Sequence, residues 1–135
     1  MIIKNLLPDN IWVRLATYVP GSVSFVNYGR QLQGKTYSCT ITYPLKNFCK
    51  FSMSVPENRW PVDYIVEEIV KKYREIYKEE EETLNPENTK ESVAILNRGM
   101  TDGKWGIWGH SLSDLDLVRI TLDTDTNELT LGVDS

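Results

Sequence analysis

From Ile11 to Val55, apolar and polar residues alternate, the pattern of strands with one face against a core. In Ile11–Val19, Ile11, Val13, Leu15 and Val19 share one face, and Trp12, Arg14 and Tyr18 the other. Pro20-Gly21 then supplies a fixed φ followed by a residue tolerant of positive φ, which predicts a type II turn. Val23, Phe25 and Asn27 continue as a returning strand, and Tyr28-Gly29-Arg30 to Gly34 connects onward. Thr36–Tyr43 is the cleanest strand, with Tyr37, Cys39, Ile41 and Tyr43 alternating against Thr36, Ser38, Thr40 and Thr42. After Pro44-Leu45-Lys46, the positions Cys49, Phe51, Met53 and Val55 alternate with Lys50, Ser52 and Ser54. Both apolar sets face one core only if Tyr43 lies opposite Asn47 or Cys49. This predicts an odd-length loop of about three or five residues. Neither register puts Cys39 directly opposite Cys49, so no cross-strand disulfide is expected.

At Pro56 the period changes. Val62, Ile65, Val66, Ile69, Val70, Tyr73, Ile76 and Tyr77 recur at three- and four-residue spacing, an amphipathic helix of about five turns. Pro61 suits its first position, and Asp63, Glu67 and Glu68 complement the positive end of its dipole. The run Lys78-Glu79-Glu80-Glu81-Glu82 shows no apolar stripe and reads as a solvated, fraying helix end. Asn85-Pro86 restarts a helix with a short apolar face of Val93, Ala94 and Leu96, ended by Gly99. Leu115–Leu122 and Glu128–Val133 alternate again around Asp123–Asn127 and form a closing hairpin. The grouping predicts one α+β domain over residues 1–135. Its expected form is an antiparallel sheet of four N-terminal strands plus the C-terminal hairpin, with two consecutive helices on one face.

Composition narrows the functional classes. Hydrophobic residues make up 41% and charged residues 25%, ordinary globular usage. The net charge of −4, with Lys and Arg dispersed, lacks the basic stripe of a nucleic-acid surface. The N-terminal run is too short and too interrupted for a secretory signal, and no stretch reaches the about eighteen apolar residues of a membrane span. A cytoplasmic protein is expected, and the two isolated cysteines, without CxxC spacing, read as core thiols.

The chemistry-bearing residues concentrate in GKWGIWGHSLSDLDL, Gly103–Leu117. His110 with Asp114 or Asp116 is the pair a hydrolase or transferase would use, but neither Ser111 nor Ser113 sits in a nucleophile elbow. Asp123-x-Asp125-x-Asn127 opens like a calcium loop, but Glu128 stands where that loop needs glycine, so no metal or cofactor is expected. Trp105 and Trp108, three apart, emerge on opposite faces of a strand, and Gly106 and Gly109 permit a bulge or a close backbone approach. One indole is expected in the core. The other, with His110, would line a surface for a planar ligand or a partner chain. Arg59 and Trp60, ahead of the long helix, are candidate contributors to an anionic site; Trp60 also suits a hydrophobic staple.

The reading that follows is a non-enzymatic binding protein recognising a small planar or anionic ligand or a protein partner, using Trp105, Gly106, Trp108, Gly109, His110, Arg59 and Trp60. Inhibitors and sequestering factors of mobile elements and phages are of this kind. Trp12, Tyr18 and Phe48, on faces opposite the expected core, point to a homodimer or higher assembly. A hydrolase or transferase built on His110, and a structural subunit of a larger assembly, are the alternatives.

Overall fold

The computed structural model describes residues 1–23, 25, 30–85 and 99–135. Its strands are β1 (Ile2–Ile3), β2 (Val13–Arg14), β3 (Thr36–Ile41), β4 (Cys49–Ser54), β5 (Asp116–Asp123) and β6 (Glu128–Asp134). One long helix, α1 (Pro61–Thr83), lies between β4 and β5. Short 3₁₀ turns occupy Arg30–Leu32 and Leu112–Asp114. The six strands form one sheet in the order β1-β5-β6-β3-β4, and β2 pairs with β5 beside β1.

This corrects the expected fold class in two respects. The sheet is mixed, because β3 and β6 run parallel, with Ser38 opposite Glu128 and Cys39 opposite Leu129. Alternation records which side chains face the core, but it is the same whichever way the neighbouring strand runs. The β5–β6 hairpin docks its second strand beside β3, and a pattern of period two carries no trace of that choice. The second correction concerns helices: among the described residues α1 is the single α-helix. The second helix expected from Asn85-Pro86 to Gly99 falls on residues 86–98, outside those described.

The β3–β4 ladder runs from Thr36↔Ser54 to Ile41↔Cys49, the register that puts Tyr43 opposite Asn47. The ladder opens after Ile41, so the loop spans 42–48 rather than three or five residues. Leu45 in that loop is buried and pairs with Ile107 instead. Cys39 faces Phe51, and both cysteines are free.

The first expected strand is cut to β2 because the chain coils at Leu15–Thr17, where the Tyr18 N–H reaches the Arg14 carbonyl at 2.9 Å. The coil turns Tyr18 inward, against the expectation that it faces away from the core. Arg74 on α1 holds the segment, donating Nε to the Leu15 carbonyl at 3.0 Å and Nη2 to the Tyr18 carbonyl at 2.7 Å. The Pro20-Gly21 turn forms with Gly21 at φ +85° and the Ser22 N–H on the Val19 carbonyl at 3.0 Å. Val23 and Phe25 lie outside any strand, and Asn27 is beyond the described residues.

The core lies between α1 and one sheet face. Ile65, Val66, Ile69 and Ile76 meet Tyr37, Cys39, Ile41, Leu117, Ile120 and Leu122, all essentially inaccessible. The other face is polar, carrying Lys50, Ser52 and Thr130. No helix among the described residues is long and apolar enough to cross a membrane. Ile69 is fully enclosed, so Ile69→Ala should cost about 2–5 kcal/mol in denaturant unfolding. Burial pushes the Cys39 thiol up to about 12, with the Cys49 thiolate adding repulsion. The folded pKa lies above the unfolded value, so this stabilising contribution is complete below about pH 9 and is lost as pH rises toward 12. Alkylation at pH 8 should leave Cys39 unmodified until the protein is unfolded.

Candidate functional site

The stripe that buries α1 continues past its apolar residues. Ile69, Tyr73, Ile76 and Glu80 follow at steps of four, three and four, so a glutamate takes the next core-facing place, 2% exposed. The expected solvated end of the helix is therefore wrong at this one residue. The Glu80 carboxylate accepts the N–H groups of Trp105 at 2.7 Å and Gly106 at 3.2 Å on Oε1. On Oε2 it accepts the Gly103 N–H at 2.8 Å and the Thr101 hydroxyl. Desolvating a carboxylate costs several kcal/mol, and among the described residues no cation is paired with it. Charge-assisted bonds from four donors offset that cost.

The same turn of α1 makes two further contacts. Thr83 Oγ1 accepts the Lys104 N–H at 2.8 Å, and Lys104 Nζ lies 2.7 Å from Glu79 Oε2. The glycines in this stretch follow from these contacts. A Cβ on Gly103 would sit 2.6 Å from the Glu80 carboxyl carbon, and one on Gly106 would sit 2.9 Å from Lys46 Cβ. Gly106 also takes φ +66°, where a side chain is strained. The close approach permitted by these glycines is made by the protein's own side chains.

Held in this way, three segments form a small platform. Residues 105–109 lie between 44–47 and 99–101, joined by the bridges Leu45↔Ile107 and Met100↔Trp108. The Trp108 N–H donates to the Pro44 carbonyl at 2.8 Å, Lys46 to Gly106 at 2.7 Å, and Gly109 to Gly99 at 2.9 Å. Thr101 Oγ1 also accepts the Ile107 N–H at 2.8 Å, which ties the platform to the hydroxyl on Glu80. Leu45 and Ile107 point into the core. Trp108, 51% exposed, and Met100, 40% exposed, stand opposite each other on the outside. Tyr43 adds its ring 5.7 Å from that of His110, and Tyr77 Oη donates to the His110 carbonyl at 2.9 Å. Trp105 packs against the core with Lys104 Nζ 4.9 Å from its ring centroid, and among the described residues its buried Nε1 has no hydrogen-bond partner.

The structure therefore brings Trp105, Gly106, Trp108, Gly109 and His110 together and leaves Arg59 and Trp60 apart. Those two sit at the other end of α1, about 30 Å away at 1.5 Å per residue. Arg59 is ion-paired with Glu67 and stacks 5.6 Å from the Tyr64 centroid. Trp60 occupies the N-cap itself rather than the preceding position from which a hydrophobic staple acts, and it is 55% exposed. The acid–base constellation does not assemble either. Asp114 Oδ2 caps the Ser111 N–H at 3.2 Å, Ser111 Oγ bonds Ser113 Oγ at 2.9 Å, and Asp116 lies in β5 opposite Asp134. Among the described residues the His110 ring has no hydrogen bond to any of them. A groove of about 250 Å³ between β3 and β6 adjoins the platform, lined by Tyr43 but by neither tryptophan.

Sequence reasoning missed Glu80, Thr101 and Met100. The heptad-like spacing from Ile69 was the signal for Glu80; the charge run around it hid that place.

Removing the carboxylate orphans three N–H groups, one buried and two part-buried, so Glu80→Ala should cost about 3 kcal/mol, while exposed Glu82→Ala should change stability by less than about 0.5 kcal/mol. Gly103→Ala should behave like Glu80→Ala, with both variants raising the solvent exposure of Trp105 fluorescence. No protein-family model, curated protein or solved structure matches this chain, so its chemistry is read from its own geometry.

Proposed function

We propose that this protein works by binding a partner protein through the platform of Trp108, Met100 and Tyr43. What carries the reading is the placement of Trp108. A large rigid side chain stands half exposed on a backbone that is fixed from behind by a buried carboxylate. Tryptophan and methionine are favoured at interface centres, because they bury much area and, for tryptophan, lose little conformational freedom. A scaffold ordered before contact also spares the cost of ordering a loop on binding. A protein partner is favoured over the small anionic ligand. The candidate arginine is about 30 Å away and ion-paired. The one lysine of the stretch, Lys104, is already held by Glu79, which leaves Lys46 as a single exposed cation beside Gly106 among the described residues. A cytoplasmic setting belongs to the same reading and is supported by the two free, buried thiols.

The test is photo-crosslinking from position 108 in extract of the source cell, with position 35 on the opposite side of the fold as control. Reconstitution with the captured protein in purified form follows. Trp108→Ala should weaken that complex by about 30-fold or more, equivalent to about 2 kcal/mol, and leave the unfolding midpoint nearly unchanged. Equal capture from both positions, or equal affinity for the variant, overturns the reading.

A further inference from the structure

Among the described residues β4 is the outermost strand on its side of the sheet, and no strand pairs with its outer edge. The Ser38 N–H donates to Asn127 at 3.0 Å, so Ser38 and Thr40 direct their main-chain groups toward β6, and Cys39 and Ile41 direct theirs toward β4. With Cys39 opposite Phe51 and Ile41 opposite Cys49, the odd positions of β4 are consumed by β3. The N–H and C=O groups of Lys50, Ser52 and Ser54 therefore point outward, and no contact among the described residues engages them. Such an edge is usually blunted by proline, a bulge or several inward charges. β4 has an unbroken register over six residues, no proline and a single lysine.

We propose that this edge pairs with the same edge of a second copy, antiparallel about a two-fold axis at Ser52. This gives the expected homodimer a defined interface, independent of the platform reading. The outward-facing positions make the register self-complementary. Ser52 meets the partner's Ser52, and Lys50 meets the partner's Ser54, which gives about six main-chain hydrogen bonds with no like charges opposed. On the helix side Phe51, half-buried in the single chain, meets the partner's Met53. The flanking Lys72–Glu75 pair, 3.5 Å apart, presents both signs of charge, so the two-fold axis sets no block of like charge against itself. A strand edge that fits its own copy in this way forms a closed, isologous contact.

Light scattering on the full chain should report twice 15.6 kDa at high micromolar concentration. Ser52→Pro removes an outward N–H that β3 does not use. It should give a 15.6 kDa particle with unchanged helical circular dichroism. Ser52→Cys places two thiols on the axis with Cα atoms about 5.5 Å apart, within disulfide range. It should cross-link to a dimer under mild oxidation, whereas Thr130→Cys, on the same sheet face away from the edge, should not. A monomeric wild type, or a Ser52→Cys protein that fails to cross-link, overturns the proposal. So does a folded Ser52→Pro dimer. None of these outcomes touches Trp108 binding.

Discussion

One buried carboxylate organises the half of the molecule that carries the exposed chemistry. Glu80 stands where the core stripe of α1 asks for an apolar residue, in a helix turn whose dipole disfavours negative charge. A group in that position persists only if its hydrogen bonds are satisfied completely. The stretch from Thr101 to Gly106 supplies them by turning its amides toward the helix, and this sets the path of the chain. Gly103, the pairing of 105–109 with 44–47, and the outward direction of Trp108 all depend on it. A leucine at position 80 would fill the core but would leave those amides without acceptors.

The sheet contributes a second constraint, through the docking of β6 on β3. Only two register positions pair before the strands diverge, and the groove of about 250 Å³ opens where they part. Tyr43 spans the mouth, bonding Ser135 Oγ through its hydroxyl at 2.8 Å while its carbonyl accepts the Tyr73 hydroxyl at 2.8 Å. The loop 42–48 is thus tied to α1, to the C-terminal strand and to the platform together. Its length beyond a tight hairpin has a structural cause, because Leu45 leaves the β3–β4 ladder to pair with Ile107.

How far the sequence was legible depended on the range of the interaction. The strands β3 to β6, the β3–β4 register, the Pro20-Gly21 turn and the α1 stripe follow from local periodicity, and they stand where that periodicity puts them. Tyr18 did not follow, because the coil at Leu15–Thr17 is imposed from outside by Arg74 on α1. The parallel pair did not follow either, since alternation is blind to strand direction. The division of labour between Trp105 and Trp108 was legible as a consequence of their spacing, but which of them faces out was not. That was decided by Glu80, more than twenty residues away in sequence, whose stripe position was obscured by the glutamates beside it. Arg59 and Trp60 attracted attention by residue type alone, and residue type says nothing about which end of a helix a side chain shares with another.

The platform and the outer β4 edge meet at loop 42–48, whose residues 44–47 anchor 105–109 and whose last residue, Phe48, leads into β4. In the proposed dimer, a two-fold axis at Ser52, normal to the sheet, would keep both helices on one side of a continuous sheet. It also sends the strand starts in opposite directions. Each Phe48 would then lie about 14 Å from the axis, four residues at 3.4 Å, which would put the platforms roughly 30 Å apart at the two ends of the paired edge. A rigid pair of identical aromatic surfaces at that separation suits a partner that is itself repeated or two-fold. The second contact is then intramolecular, and avidity can exceed the single-site affinity by about 10²–10⁴. Rigidity is what makes the gain available, because a flexible platform would have to be ordered twice. In such a dimer the buried glutamate that fixes one surface would fix both.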